Sequence, residues 1–394
     1  MEEGFRFIHS LHLKNFLSYG SEGERIELGP LNVLIGSNAS GKSNLIEAVS
    51  LLQALPSNLV EPIRDGGGVS EWLWKGSRET PVAELEAVVD YPPGGGIPLR
   101  YKLQFTMTGQ RLELLDEAVE NARKLKSQHS DVYFFYRYQQ GQPVLNVRNS
   151  PEAEPGTDKE RQPRYLRRED LKPDQSVLSQ RKDPDQYPEL TYLGNQFSEI
   201  KLYREWNLGR YTDPRKPQKT DLPEDFLEEN ASNLGLVINN LQNSEGSRAL
   251  VEQMQLFYED VEEISTKIQG GTVQLFLRER GLEQPIPATR LSDGTLRYLC
   301  LLTILCHPQP PSLVCIEEPE LGLHPDIIRT LAKLLIDASQ RSQLIVTTHS
   351  DILVSALTEQ PESVIVCERD IAGSHLRRLG AGAVEELART LFSG

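Results

Sequence analysis

Gly36, Ser37, Asn38, Ala39, Ser40, Gly41, Lys42 and Ser43 stand between a short apolar run, Leu31 to Ile35, and a segment with Leu45, Ile46, Val49 and Leu52 at helical spacing. No other stretch constrains the chain as tightly. A glycine-framed turn leading from a buried strand into a helix calls for an α/β core, and the spacing is that of GxxxxGK[ST]. The glycines let successive backbone N–H groups curl around phosphate oxygens, and the helix N-terminus adds partial positive charge. Lys42 is then placed to reach the β and γ phosphates of a nucleotide and the Ser43 hydroxyl to ligate Mg²⁺, with Asn44 continuing the turn into the helix.

The rest of the chain supplies such a core in two pieces. Residues 5 to 14 alternate apolar and polar side chains, and Ile26 to Leu28 resume the alternation, which predicts two strands ahead of Leu31. From Glu84 to Val147 the stretches ELEAVVDY, PLRYKLQF, DVYFFYRY and PVLNV, separated by PPGGG and QQGQ, predict a mainly antiparallel β lobe. Asn149 to Pro223 is rich in Pro, charge and Gln and reads as loops and short helices, and Phe226 to Ile268 returns to helical periodicity. Then come a strand at 272–278, a helix at 294–306, a buried strand at 312–317, a helix at 325–339 and a buried strand at 343–348. The final stretch, SVIVCERD, predicts one more strand, with a short helix after it. Strand and helix alternating in this way mark a parallel sheet. Heptads do not persist for three or four repeats, so long coiled-coil arms are not expected.

Three further motifs carry chemistry. The apolar strand Leu313 to Ile316 ends in Glu317, Glu318 and Pro319. It delivers two carboxylates to the C-terminal edge of the sheet, where open α/β sheets bind ligands. Strand alternation sends the two acids in different directions, so Glu317 can hold Mg²⁺ through water while Glu318 polarises an attacking water. Pro319 disfavours helical geometry at Glu318. Ser292, Asp293 and Gly294, within RLSDGTLR, open an apolar helix. They read either as a second anion site, serving another nucleotide, or as a plain helix cap. Thr347-Thr348-His349-Ser350 closes the next buried strand. There His349 either touches a γ-phosphate or is incidental.

Composition excludes several alternatives. The 42 Lys and Arg against 57 Asp and Glu give a formal charge of -15, which argues against a general nucleic-acid coat. A local basic groove is still allowed. Residues 159–219 hold 14 Lys and Arg against 10 acids, with Tyr165, Tyr203, Trp206 and Tyr211 interleaved. That mixture suits a phosphate backbone with stacked bases, or equally a solvated loop. The acidic N-terminus and the lack of any run of about 18 apolar residues point to a cytoplasmic protein that does not enter the membrane. Cys300, Cys306, Cys315 and Cys367 lack CxxC spacing and sit in apolar runs, as buried thiols do in a reducing compartment. No NKxD or TKxD motif is present to read guanine.

In this order the four motifs resemble the ABC ATPase superfamily, with Walker A at 36–43, the signature at 291–295, Walker B at 313–318 and the switch histidine at 349. The opening Leu13-Lys14-Asn15-Phe16-Leu17-Ser18 and the long insertion between the halves resemble its RecF and SMC-like branch. The stretches SDGTLR, EEPELGLHP and TTHS are similar to the predicted RecF-like AAA-family ATPases of prokaryotes, and ENASNLGLVINNL resembles their helical lobe. The resemblance implies an α/β fold: an ABC-type P-loop ATPase core with an antiparallel β lobe, an inserted helical lobe and no long coiled coil. Residues 1–148 would be the N-terminal half of the core with the β lobe, 149–285 the insertion and 286–394 the C-terminal half.

It further implies ATP and Mg²⁺ as ligands, with Lys42, Glu318 and His349 in catalysis, Glu318 as general base and His349 as γ-phosphate sensor. Ser43 and Glu317 would sit on the metal, and Ser292 and Gly294 would act in trans within a homodimer formed on ATP. Three positions depart from the wider pattern. Glu317 replaces Asp, and Asp293 replaces a signature Gly and places negative charge near a phosphate. The Q-loop glutamine has only Gln175 and Gln180 as candidates. The expected function is a dimeric clamp or switch in DNA repair and maintenance or anti-phage defence, with a separate effector protein because the chain ends at Gly394. The alternative is a regulatory partner of a toxin or nuclease that does not itself touch DNA. A transporter motor is disfavoured by the long insertion and the N-terminal LKNFLSYG element.

Overall fold

The computed structural model describes residues 4–91, 96–124, 132–139, 142–148, 161–242 and 247–380. At its centre a six-stranded sheet runs in the order Lys201–Tyr203, Leu313–Glu317, Gln343–Thr347, Leu31–Ile35, Val364–Arg369, Ser374–Arg378. The first five strands are parallel, and the last returns antiparallel as the hairpin partner of Val364–Arg369. Period-two alternation gives each face its own core. Leu34, Cys315, Ile345 and Ile365 pack with the helix Lys42–Ala54 beneath the β lobe, while Val33, Ile35, Val314, Ile316 and Val346 pack with the helices Asp293–Leu305 and Pro325–Ala338. All four cysteines are free thiols; Cys300, Cys315 and Cys367 are buried, and burial raises the Cys300 and Cys367 thiols to about 12.

An eight-stranded antiparallel sheet forms the second layer, in the order Glu24–Glu27, Ile8–Lys14, Ala83–Val89, Leu99–Thr108, Arg111–Asn121, Phe134–Gln139, Gln142–Arg148, Arg161–Tyr165. The two layers are tied by Gln343. Its wholly buried amide accepts from the Ile8 N–H at 2.7 Å and donates to the carbonyls of Ile8 at 2.8 Å and Gly29 at 2.9 Å.

Two expectations are corrected. The helical reading of Phe226–Ile268 holds for Leu234–Gln242 and Ser247–Phe257, but Val261–Gln269 is a strand paired with Thr272–Glu279. The turn between them is Gly270-Gly271, both at positive φ, which is the conformation a two-residue hairpin requires. The reading of 149–223 as loops and short helices misses an 11-residue helix, Pro188–Ser198, and the edge strand of the central sheet. The stretch 149–285 therefore adds strands to all three sheets, the third being the small one around Thr272–Glu279. Among the described residues the longest helix has 14 residues, and none is long and apolar enough to cross a membrane. The short helix expected after SVIVCERD lies outside the described residues.

Gln343→Leu preserves bulk but leaves the buried Ile8 N–H without its acceptor and takes from the Ile8 and Gly29 carbonyls the amide donor of Gln343, Gly29 keeping only that of Asn32. The expected loss is about 2–4 kcal/mol of unfolding free energy, read as a lower urea midpoint. An unchanged midpoint would mean that the two layers are not joined by this amide.

Candidate active site

The parallel register brings the C-terminal ends of Leu31–Ile35, Leu313–Glu317 and Gln343–Thr347 to one edge of the sheet, with Glu317 opposite Thr347 and Thr347 opposite Leu34. The first strand turns at Gly36 into the helix Lys42–Ala54. A Cβ at Gly36 would lie 2.2 Å from the Cys367 carbonyl oxygen, and Gly41 takes φ +109, so both glycines are required by the backbone. Inside the loop the Ser40 hydroxyl is buried without a hydrogen-bond partner, as suits a cradle for an anion. The Lys42 ammonium folds back on the carbonyls of Gly36 at 2.8 Å and Ser37 at 3.1 Å. Burial lowers its pKa against the opposing pull of Cys367 and Glu318. Ser37, Asn38 and Ala39 are exposed, whereas Asn44 turns away to donate to the Ser18 hydroxyl at 2.7 Å, joining the helix to the N-terminal LKNFLS element.

The two acids diverge. Glu317 accepts from the Ser43 hydroxyl at 3.2 Å, while Glu318, at φ +46, points to His349, whose Nε2 lies 3.6 Å from a carboxylate oxygen. A non-glycine residue in the left-handed region costs about 1–2 kcal/mol. Here the Glu318 N–H is held by the Thr347 carbonyl at 3.0 Å. Glu320 supports the same corner, accepting from the Thr348 hydroxyl at 2.6 Å and the His349 N–H at 3.0 Å.

Arg204 was not anticipated from the sequence. It follows the edge strand and donates to Glu317 at 2.9 Å and to Glu47 of the P-loop helix at 2.8 Å. Burial opposes its charge, but the bonds and charges of Glu47 and Glu317 outweigh that and raise its pKa. The two glutamines considered for the Q-loop do not join this cluster. Gln175 bonds Asn58 and the Leu59 N–H, and Gln180 bonds Lys172 and the carbonyl of Gln175, all beside the β lobe.

Ser292 caps the helix Asp293–Leu305, accepting from the Thr295 N–H at 3.0 Å. Gly294 packs so closely that a Cβ would meet the Gly322 carbonyl at 2.9 Å. The negative charge that Asp293 brings to this helix start is paired with the buried Arg215. Arg215 also donates to the carbonyls of Leu208, Ala288 and Leu291, fixing the turn that leads into the helix. A cavity of about 330 Å³ opens beside this helix start, lined by Trp206, Asp293, Gly294, Arg297, Leu321 and Gly322 among others.

Residues 31–355 match the family described as "AAA domain, putative AbiEii toxin, Type IV TA system". The chain belongs to this family. Over 373 residues it is 22% identical to the "ATP/GTP phosphatase" of Helicobacter pylori, covering 93% of this chain and 90% of that protein. A 59-residue stretch is 46% identical to the "DNA replication and repair protein RecF" of Thermosynechococcus vestitus, and it spans 15% of RecF's length. The fold is that of the SMC head: the crystal structure of the SmcHead bound to the C-winged helix domain of ScpA aligns with TM-score 0.59 at 15% identity, over 95% of this chain and 98% of that one. The chain thus resembles RecF/SMC-like ATPases of the ABC type and shares the α/β fold of the SMC head.

Arg215→Met removes every hydrogen bond just described for the guanidinium. The expected cost is about 2–4 kcal/mol, since buried carbonyls lose their donors. ATP affinity at the P-loop, measured by calorimetry below the melting transition, should stay within about twofold. Full stability in this variant would show that the turn does not need Arg215.

Proposed function

We propose that the chain binds ATP at 36–44 and hydrolyses it in a homodimer that forms on ATP, each nucleotide being completed by the Ser292–Gly294 helix start of the second copy. One observation carries this reading: Ser43 with Glu317, and Glu318 with His349, meet in two adjacent pairs at one sheet edge. In it Glu318 takes the proton of the attacking water, with His349 beside it at the γ-phosphate. Ser43 and Glu317 offer adjacent hard oxygens suited to Mg²⁺, which when bound neutralises charge across the phosphate oxygens. Ser292 already caps its own helix, so its trans role is an added one.

The dimer would act as a switch for a separate effector, in DNA maintenance or in anti-phage defence. The RecF stretch supports the first setting and the toxin–antitoxin wording of the family description the second. A protein partner, rather than direct DNA contact, is favoured by the fate of the aromatics in 159–219. Tyr203 is buried and Trp206 is held under Arg297, which leaves Tyr165 and Tyr211 exposed. Salt-dependent DNA binding by the full chain would restore the DNA reading.

Glu318→Gln keeps the side-chain shape but takes up no proton. It should bind ATP, lose hydrolysis by roughly a hundredfold or more, and accumulate as dimer in light scattering. An unchanged monomer fraction in ATP and Mg²⁺ would count against trapping. Ser292→Arg should bind ATP yet neither dimerise nor hydrolyse it, and Lys42→Ala should lose tight ATP binding. Mixing these two variants yields heterodimers with one intact composite site, so part of the hydrolysis should return. A Ser292→Arg protein that hydrolyses ATP normally alone would remove the shared site.

A further inference from the structure

Besides the Ser40 hydroxyl, two more buried polar atoms near the site lack partners: Nη1 of Arg297 and the second carboxylate oxygen of Glu320. Arg297 lies one turn into the helix that begins at Asp293 and helps line the 330 Å³ cavity there. Its guanidinium rests on the Trp206 ring, 5.3 Å from the centroid. Trp206 in turn stacks on buried Tyr203 at 5.8 Å and 18°, and its indole N–H donates to the Glu317 carbonyl at 3.3 Å. Between those two aromatics Arg204 holds the Glu317 carboxylate itself. Four consecutive residues therefore join the start of one helix to the acid at the sheet edge.

We propose that Trp206 is a positioning residue that couples the cavity beside Arg297 to the Glu317 carboxylate, so that an anion entering the cavity strengthens divalent-cation binding at Ser43 and Glu317. The proposal rests on the nucleotide-sandwich reading above, in which that anion is the phosphate chain held by a second copy.

The physical steps are short. A guanidinium on an aromatic face is held by an attraction much weaker than a charge-assisted bond to phosphate. An anion in the cavity would therefore draw Arg297 and its free Nη1 off the indole. Trp206 and Arg204 belong to one short segment after the edge strand, so releasing the ring frees the segment to move. Arg204 competes with a divalent cation for Glu317, and its withdrawal exposes carboxylate oxygen beside Ser43. Trp206 lines the cavity but does not reach the cation in this scheme, and it acts on Glu317 through Arg297 and Arg204.

The test uses the full chain carrying Glu318→Gln, so that ATP is not consumed, with Mn²⁺ as the probe. Protein-bound Mn²⁺ is followed by electron paramagnetic resonance in excess ATP, below and above the concentration at which dimers form. The parent should bind Mn²⁺ roughly three- to tenfold more tightly as a dimer, the span of one hydrogen bond gained or lost. Trp206→Leu and, independently, Arg297→Met should show the same Mn²⁺ affinity in both states while still binding ATP. Trp206→Phe keeps a ring under Arg297 without the N–H, and it should retain part of the difference. The emission of Trp206, taken as parent minus Trp206→Phe, should shift on dimerisation. If both Trp206→Leu and Arg297→Met keep the full gain on dimerisation, the coupling is wrong. A parent that dimerises without tighter Mn²⁺ binding also overturns it and leaves the sandwich standing. A parent that binds no ATP, or stays monomeric, overturns both.

Discussion

Everything at the sheet edge depends on the parallel pairing of Leu31–Ile35 between Gln343–Thr347 and Val364–Arg369. Parallel strands present all their C-terminal ends at one edge, so a glycine turn, two acids and a histidine from segments some 300 residues apart arrive together without long loops. A one-residue slip of any central strand would exchange its two faces and carry Glu317 away from Ser43. Gln343 guards against such a slip at the far end of its strand, where its amide is bonded in both directions to the antiparallel layer. The site is precise because the sheet beneath it has one register.

Charge compensation is the second constraint. A chain of -15 with acids converging on a phosphate site faces self-repulsion there. Two arginines from the 149–285 stretch relieve it, Arg204 between Glu47 and Glu317 and Arg215 beneath Asp293. Neither is a free surface charge. Arg215 is nearly inaccessible and works mostly through backbone carbonyls. The stretch that reads as an insertion therefore supplies cations to both halves of the core, which explains why its edge strand is built into the central sheet.

What was legible in the sequence follows from the range of the interactions involved. The P-loop, the acidic strand end and the helix capped by Ser292 are local devices, each written in fewer than ten consecutive residues, and their elements lie where periodicity places them. The strand Val261–Gln269 was missed although Gly270-Gly271 marks its hairpin, because Val261, Ile264 and Ile268 also fit helical spacing. Lys201–Tyr203 is too short for any period, and only its pairing with Val314–Ile316 makes it a strand. Arg204 and Trp206 were illegible for the same reason, since their meaning lies in partners more than 100 residues away.

The local signals also leave the behaviour of Glu317 undetermined. A Glu in place of Asp adds a methylene, which taken alone would push the carboxylate toward the metal position. In the folded chain that added reach is taken up on two sides, by the Ser43 hydroxyl and by the Arg204 guanidinium. The longer acid thus lets one side chain touch both the P-loop helix and the segment after the edge strand. An Asp at 317, shorter by that methylene, is poorly placed to bridge both. The substitution is best understood together with Arg204, as a pair that links the nucleotide loop to the segment on which Trp206 stands.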